Sequence, residues 1–458
     1  MKKLLQVLFV ISLGCIFGVS LCYAETVWEK RQKVLQDQNE QNVSVPNETT
    51  PVEQEKSKSV ASELIEENPF NITVPAEYGS VIESSKGTNG KLIVHIQDAH
   101  ANYEAQKNIA GIIESLIDNY NITLVLMEGK ATDRDFKYLR YKAPLDVRKD
   151  IADNLLKEGI FNGVNYLDLA SSYPILIQGV EDKNLYDING VALWDMDKFK
   201  DIALEYVNKL TVAADSIKPK IYNAELLAMD KAKKDYEDET ISLSAYYKIL
   251  DDIIKKKNIS IEEFPNFAVF VKGEIKDLNI NSLFKEELPL ANKIQEAISE
   301  NDDQKALYRI SKALSIMDKM LNIKMVPEEY DYFLKNKEDF DPQAWADFLK
   351  TKSDELGLGI EISNNYYAVS DNLPTIEKFY SSAIDRENAF VRKSEDRMNK
   401  DNIKSAILIA GGFHTPTLTQ LLNDKAYSYI VISPKVTTKT DDNLYRQTLK
   451  RQWAPGIE

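Results

Sequence analysis

Leu92-Ile93-Val94-His95-Ile96-Gln97-Asp98-Ala99-His100 is the stretch whose reading decides the fold of this chain. Residues 92–96 are apolar and rich in β-branched side chains, with His95 the one polar member. That is the composition of a strand covered on both faces inside a parallel sheet. The run ends in Gln97, Asp98 and His100, polar groups of the type that chemistry uses. From Tyr103 a helical period follows, with Ile109, Ile112, Ile113 and Leu116 on one face. Strand, polar turn and helix form the first half of a βαβ unit. In open α/β sheets, ligands bind outside the carboxyl ends of the strands, and His100 falls at such an end.

The pattern recurs three times. An apolar run from Thr123 to Gly129 ends on the carboxylate of Glu128, and another from Pro174 to Asp182 ends on Glu181 and Asp182. Late in the chain, Ala406 to Ala410 runs into Gly411, Gly412, Phe413 and His414; a last strand is expected at 429–433 and an early one at 78–82. Strands alternating with helical stretches predict an α/β fold, a mostly parallel sheet with flanking helices and right-handed crossovers. Between 192 and 358 the character changes. Helical patterns dominate at 197–217, 222–238, 244–257, 291–323 and 341–356, and Asp341-Pro342 is a good helix start. This block reads as a large helical insertion that covers the sheet, forms a lid or makes a homo-oligomer contact. Its charge runs read as solvated helix faces.

The ends read differently. Lys2 and Lys3 precede an apolar run to Leu21, with small residues at Cys22 and Ala24, so 1–24 is read as a secretory signal peptide cleaved before Glu25. Uncleaved, it would be the chain's sole membrane contact. Both of the 2 cysteines lie within it, so the processed chain would have no thiol and no disulfide. Residues 25–68 are polar and aperiodic and read as a disordered tether. The α/β core is expected at 69–191 and 359–440, followed by a C-terminal tail at 441–458. A net charge of −15 excludes a nucleic-acid partner and an anionic membrane surface, both of which need a basic face. The resulting expectation is an extracytoplasmic, periplasmic or secreted protein.

If the four strands are parallel in one sheet, His100, Glu128, Glu181 and His414 gather at one edge. Two imidazoles and two carboxylates supply what is needed to activate water or to hold a divalent metal ion. The chain has 3 histidines, and two of them occupy strand-end turns. His95, in mid-strand, reads as a hydrogen-bonded core residue.

These motifs resemble those of the TIKI/TraB/erythromycin-esterase superfamily, which includes ChaN-like haem-binding proteins. Gly411-Gly412-Phe413-His414 looks like the family's second Gly-x-x-His motif. Gln97-Asp98-Ala99-His100 is similar to the first, with Gln97 in place of the glycine, and Asn102 and Gln106 follow as in the ChaN-like form. Glu128 matches the family's second-strand acid, Glu181 a further acid, and Asp385-Arg386-Glu387-Asn388 resembles the Arg-Asn or Arg-Asp pair on the preceding helix. The resemblance implies catalytic roles for His100, Glu128, Glu181, Arg386 and His414. It also implies cofactor contacts from Gln97, Asp98, Gly411 and Gly412, and a metal held by His100, Glu128 and His414.

The function expected is a hydrolase of an ester or peptide bond in a small molecule or peptide, with a divalent metal as a potential cofactor. Arg386 would pair with a site carboxylate or steady an oxyanion. The alternatives are a ChaN-like carrier of haem or another metal-bearing ligand, and a non-catalytic scaffold acting through the insertion. Retention of the acids beside both histidines favours the hydrolase.

Overall fold

The computed structural model describes residues 71–99, 102–129, 136–238, 240–273 and 280–438. The expected signal peptide, tether and C-terminal tail, and His100 itself, lie outside the described residues.

The described chain begins with strands β1 (Gly79–Ser85) and β2 (Leu92–Asp98), helix α1 (Tyr103–Tyr120) and strand β3 (Leu124–Met127). Three helices follow, α2 (Lys137–Lys142), α3 (Leu145–Lys157) and α4 (Gly163–Ala170), and then β4 (Leu176–Gly179). The helical stretch contains α5 (Lys183–Ile221), α6 (Ala224–Glu237), α7 (Leu243–Lys257), α8 (Pro265–Lys272), α9 (Ile280–Ile298), α10 (Asp302–Asn322), α11 (Pro327–Lys335), α12 (Pro342–Glu355) and α13 (Tyr367–Ser370). The chain returns to the sheet through α14 (Leu373–Lys400), β5 (Ser405–Gly411), α15 (Thr415–Asp424) and β6 (Ser428–Pro434). The described residues divide into two compact units, 71–194 with 378–438, and 195–377. The second seam falls inside α14, later than the boundary at 358/359 expected from sequence, because an unbroken helical run carries no punctuation there.

The fold class is α/β. The strand order is β1-β6-β2-β5-β3-β4; β6, β2, β5, β3 and β4 are parallel, and β1 joins β6 antiparallel at one edge. Every residue of β2 is buried, as its apolar run requires. Side chains alternate between two cores. Leu92, Val94 and Ile96 of β2, Val125 and Met127 of β3, and Ile407 and Ile409 of β5 face one core, which α1 completes with Ile109, Ile112, Ile113 and Leu116 and α4 with Val164 and Leu167. Ile93, Leu124, Leu126, Ala406, Leu408 and Ala410 face the other, closed by Phe390, Val391 and Met398 of α14 and Leu418 and Leu422 of α15. Helices therefore cover the sheet on both sides.

This arrangement creates a topological switch point. β2 leads into α1 on one face and β5 leads into α15 on the opposite face, yet the two strands are neighbours. Asp98 at the end of β2 stands in register with Gly411 at the end of β5. Chain leaving adjacent strands to opposite faces opens a crevice beyond their carboxyl ends, the usual ligand position in such sheets.

Candidate functional site

Parity decides which strand-end residues meet. Glu128 directly follows β3 and continues the Leu124, Leu126 face, the side on which α14 packs. Gly129, with φ +72°, turns the chain sharply at a conformation only glycine adopts without strain. Its N–H donates to Glu181 Oε2 at 3.1 Å.

Arg386, on α14, organises the rest. Its Nε and Nη2 donate to the two oxygens of Glu181 at 2.9 and 2.8 Å, a bidentate pair. Nη2 also donates to Glu128 Oε1 at 3.0 Å, and Nη1 to Asn189 Oδ1 at 3.1 Å. The guanidinium carbon lies 5.4 Å from the Tyr186 ring centre and 5.5 Å from that of Phe390. Burial opposes the charge on Arg386, but Glu181 and then Glu128 hold it more firmly protonated than usual. Lys393 donates to the Glu181 carbonyl.

His414 lies in a short 3₁₀ turn, Gly412–His414, between β5 and α15. Its Nδ1 is 2.6 Å from Glu387 Oε1, and its Nε2 is 3.4 Å from Glu128 Oε1. Glu128 is held on its other oxygen by the Gly411 N–H at 2.9 Å. Both ring nitrogens thus face carboxylates. Burial works against a charged imidazole, but Glu128 and Glu387 outweigh it and push the His414 pKa up to about 9.

The structure therefore brings Glu128, Glu181, Arg386 and His414 together. They form an enclosed network at the carboxyl edge of the sheet and do not line an open cleft. Arg386, His414 and Glu387 are 0% exposed and Glu181 1%, so Glu128, at 7%, is the member nearest solvent. The physical reason is that each charge here is neutralised by its neighbour rather than by water, which permits burial. Sequence reasoning did not assign a role to Glu387, although it adjoins Arg386, or to Asn189, for which the sequence carries no signal.

The first motif forms a second, separate set of contacts. Gln97 sits in β2, paired with Ala410, so extended backbone accepts glutamine where the resembled family has glycine. Its Nε2 donates to Thr415 Oγ1 at 2.9 Å, and His95 Nε2 lies 2.9 Å from the same hydroxyl. His95 Nδ1 is 3.2 Å from the Leu408 carbonyl. A carbonyl only accepts, so Nδ1 carries the proton and the Thr415 hydroxyl donates to Nε2. Burial lowers the pKa of His95 to about 4, and it is a neutral core histidine. Asp98 accepts from Gln106 Nε2, which also donates to Ala99 O at 2.9 Å, while Gln106 Oε1 accepts from Gly163 N at 2.7 Å. Asn102 caps α1 through Ala105 N at 2.9 Å. Asp98 and Ala99 are thus tied to α1 and α4.

Among the described residues no three His, Asp or Glu side chains form a group that could hold a metal ion. The facing oxygens of Glu128 and Glu181 already serve Arg386, whose positive charge stands where a divalent cation would otherwise neutralise them. Of the expected ligand set, Glu128 and His414 are engaged by Arg386, Gly411 and Glu387, and His100 lies outside the described residues. No family model, no curated protein and no solved structure matches this chain.

Proposed function

We propose that the chain is an extracytoplasmic hydrolase of the TIKI/erythromycin-esterase type, acting on an ester or peptide bond at the β2/β5 switch point. One observation carries the reading: five ionisable side chains, Glu128, Glu181, Arg386, Glu387 and His414, are enclosed together at the carboxyl edge of the sheet. A buried ion network of this kind adds little stability over apolar packing of the same volume. Groups retained at such cost at the carboxyl edge of the sheet support a reacting site there.

In this reading Glu128, at the margin of the network, orients a water molecule. Arg386, His414 and the Gly411 N–H hold the carboxylate in place. His100, two positions beyond the end of β2 in sequence, takes the water's proton as its oxygen attacks the carbonyl carbon and returns it to the departing alcohol or amine. The products are a carboxylic acid and that alcohol or amine. No step passes through a metal ion. The carrier alternative draws less from these groups: the ring nitrogens of His95 and His414 are engaged by protein groups, so an axial haem ligand would have to come from His100 or a tyrosine.

The test is a screen of the purified full chain against ester and peptide libraries, with His100→Ala and Glu128→Gln alongside. Loss of a general base lowers the rate by roughly a hundred- to ten-thousand-fold, and that loss is expected for His100→Ala. Haem uptake with a Soret band and no hydrolysis would make the chain a carrier. Inhibition by chelators would restore the metal.

A further inference from the structure

We propose that the interior of the helical unit, residues 195–377, holds a binding site for a small aromatic carboxylate, with Lys233 and Lys312 receiving the carboxylate and tyrosine rings flanking its body. The inference does not depend on the hydrolase reading.

Helix geometry turns both lysines inward. On α6, Lys233 falls in line with buried Leu226, Met229 and Tyr236, three or four residues apart. On α10, Tyr308, Lys312 and Lys319 are spaced by four and seven and share one face. α6 packs against α7 and α9, and α9 against α10 and α11, so these faces meet. Lys233 interacts electrostatically with Glu237, Tyr246, Glu287 and Tyr308, and Lys312 and Lys319 both feel its charge. Lys312 donates to Asn292 Oδ1 at 2.7 Å and lies 4.1 Å from the Tyr332 ring centre and 5.0 Å from that of Tyr308.

The groups left over are donors. Among the described residues, neither Lys233 nor Lys312 forms an ion pair, and Lys233 has no hydrogen bond. The nearby acids serve other partners. Glu329 and Glu237 meet Lys319, the latter at 3.8 Å, and Asp339 accepts from the Tyr332 hydroxyl at 2.8 Å and lies 3.8 Å from Arg309. Tyr246 is 0% exposed and stacked on Tyr236 at 5.2 Å between centroids, and its hydroxyl meets no partner among the described residues. Leaving such donors unmatched inside a bundle is costly, and the space between bundle helices is a usual place for a ligand. Burial pulls the pKa of Lys312 down to about 8 against the pull of Asp339, and Lys233 and Arg309 add to the fall. A ligand that brings acceptors and one negative charge answers all of these. Glu287, close to Lys233 but not paired with it, disfavours a second negative charge, which selects a carboxylate over a phosphate. Lys233, Tyr308 and Lys312 are partly accessible, so the site can be reached from solvent.

The experiment is calorimetric titration of the full chain with benzoate, with benzamide and inorganic phosphate as comparators. Benzoate should bind, and benzamide and phosphate should bind at least tenfold more weakly. Lys233→Met and Lys312→Met should each weaken benzoate at least tenfold, whereas Lys231→Met, at an exposed position on the same helix, should bind as the parent does. Tyr246→Phe keeps the ring and its packing, so it tests the site where a lysine variant fails to fold, and it should weaken benzoate several-fold. No benzoate binding at millimolar concentration would overturn the proposal. So would parent-like affinity in Tyr246→Phe or in a folded lysine variant, which would mark the binding as adventitious. Phosphate or benzamide binding as tightly as benzoate would overturn it as well.

Discussion

Arg386 shows how much one residue can organise when it is wholly enclosed. Its guanidinium is planar and presents donors in a fixed fork, which matches the carboxylate of Glu181 through two parallel bonds and leaves donors for Glu128 and Asn189. Lysine could not reproduce this. Deleting the guanidinium strands two carboxylates in a region that excludes water, and an uncompensated buried charge typically costs about 3–5 kcal/mol. Arg386→Met should therefore destabilise the protein by that order in urea denaturation. Neutralising the partners as well, in a triple variant that adds Glu128→Gln and Glu181→Gln, should recover a large part of the loss. If the triple variant is no more stable than Arg386→Met, the network is not what the arginine stabilises. The residue identities were legible in the sequence, since Glu128, Glu181, Arg386 and His414 all stood at strand ends or beside a motif. Their enclosure was not, because burial depends on the helix that closes over them. The role of Glu387 is hidden for the same reason: a glutamate in a charged helical run reads as solvated until the run is known to pack on a sheet.

At the scale of elements, strands were easier to read than helix boundaries. A buried parallel strand announces itself as a short apolar run, and β2, β3, β4 and β5 all appear where such runs stand. Helix boundaries are hidden where caps interrupt a continuous pattern. The stretch 291–323 reads as one helix, but α9 ends at Ile298 and α10 starts at Asp302, with the Asn301 side chain accepting from Gln304 N. Asparagine followed by two aspartates is a helix-start signal that the apolar period conceals. The contact of α4 with α1 had no signal, yet it supports the site. Gly163 opens α4, and a Cβ there would stand 2.4 Å from the Gln106 carbonyl oxygen and 3.1 Å from Ile109 Cβ. The neighbours are backbone and a branched carbon in a helix, and neither can yield cheaply. Gly163→Ala should cost about 1–3 kcal/mol, the usual range for forcing extra volume into a packed contact. It should also disturb the bond from Gly163 N to Gln106 Oε1, and with it the turn that Gln106 holds through Asp98 and Ala99. Thermal melts measure the first effect, and amide exchange at Asp98 and Ala99 measures the second. A variant with parent-like melting and exchange would show that α4 moves freely on α1.

For the molecule as a whole, the sequence specifies which segments are strands but not their order. β5 lies between β2 and β3 although some three hundred residues separate it from either in the chain, and no local pattern encodes that neighbour. The order matters because it sets the switch point, and it places two histidines with opposite requirements within one core. His95 is buried neutral with its pKa lowered to about 4, and His414 is buried between carboxylates with its pKa raised to about 9. Both have an ordinary value of 6.5 in the unfolded chain. Below that value the unfolded state takes up a proton that native His95 refuses, so its contribution is full above pH 6.5 and declines as pH falls toward about 4. His414 behaves in the opposite sense. Its contribution is full below pH 6.5 and is lost as pH rises through about 9, because the native ring keeps a proton that the unfolded chain has released. Each slope is at most about 1.4 kcal/mol per pH unit for one proton. Stability should therefore be greatest near pH 6.5 and fall on both sides. Carboxylates add to the acid limb, so the histidine parts are isolated by difference. His95→Gln should flatten the fall between pH 6.5 and 4, and His414→Gln should flatten the rise in instability between 6.5 and 9, each after a loss of stability near the optimum. Urea titrations of the parent and both variants across that range provide the measurement. An alkaline limb that is identical in the parent and in His414→Gln would mean that His414 carries no extra proton in the native state, and the alternating charges of the network would have to be redrawn.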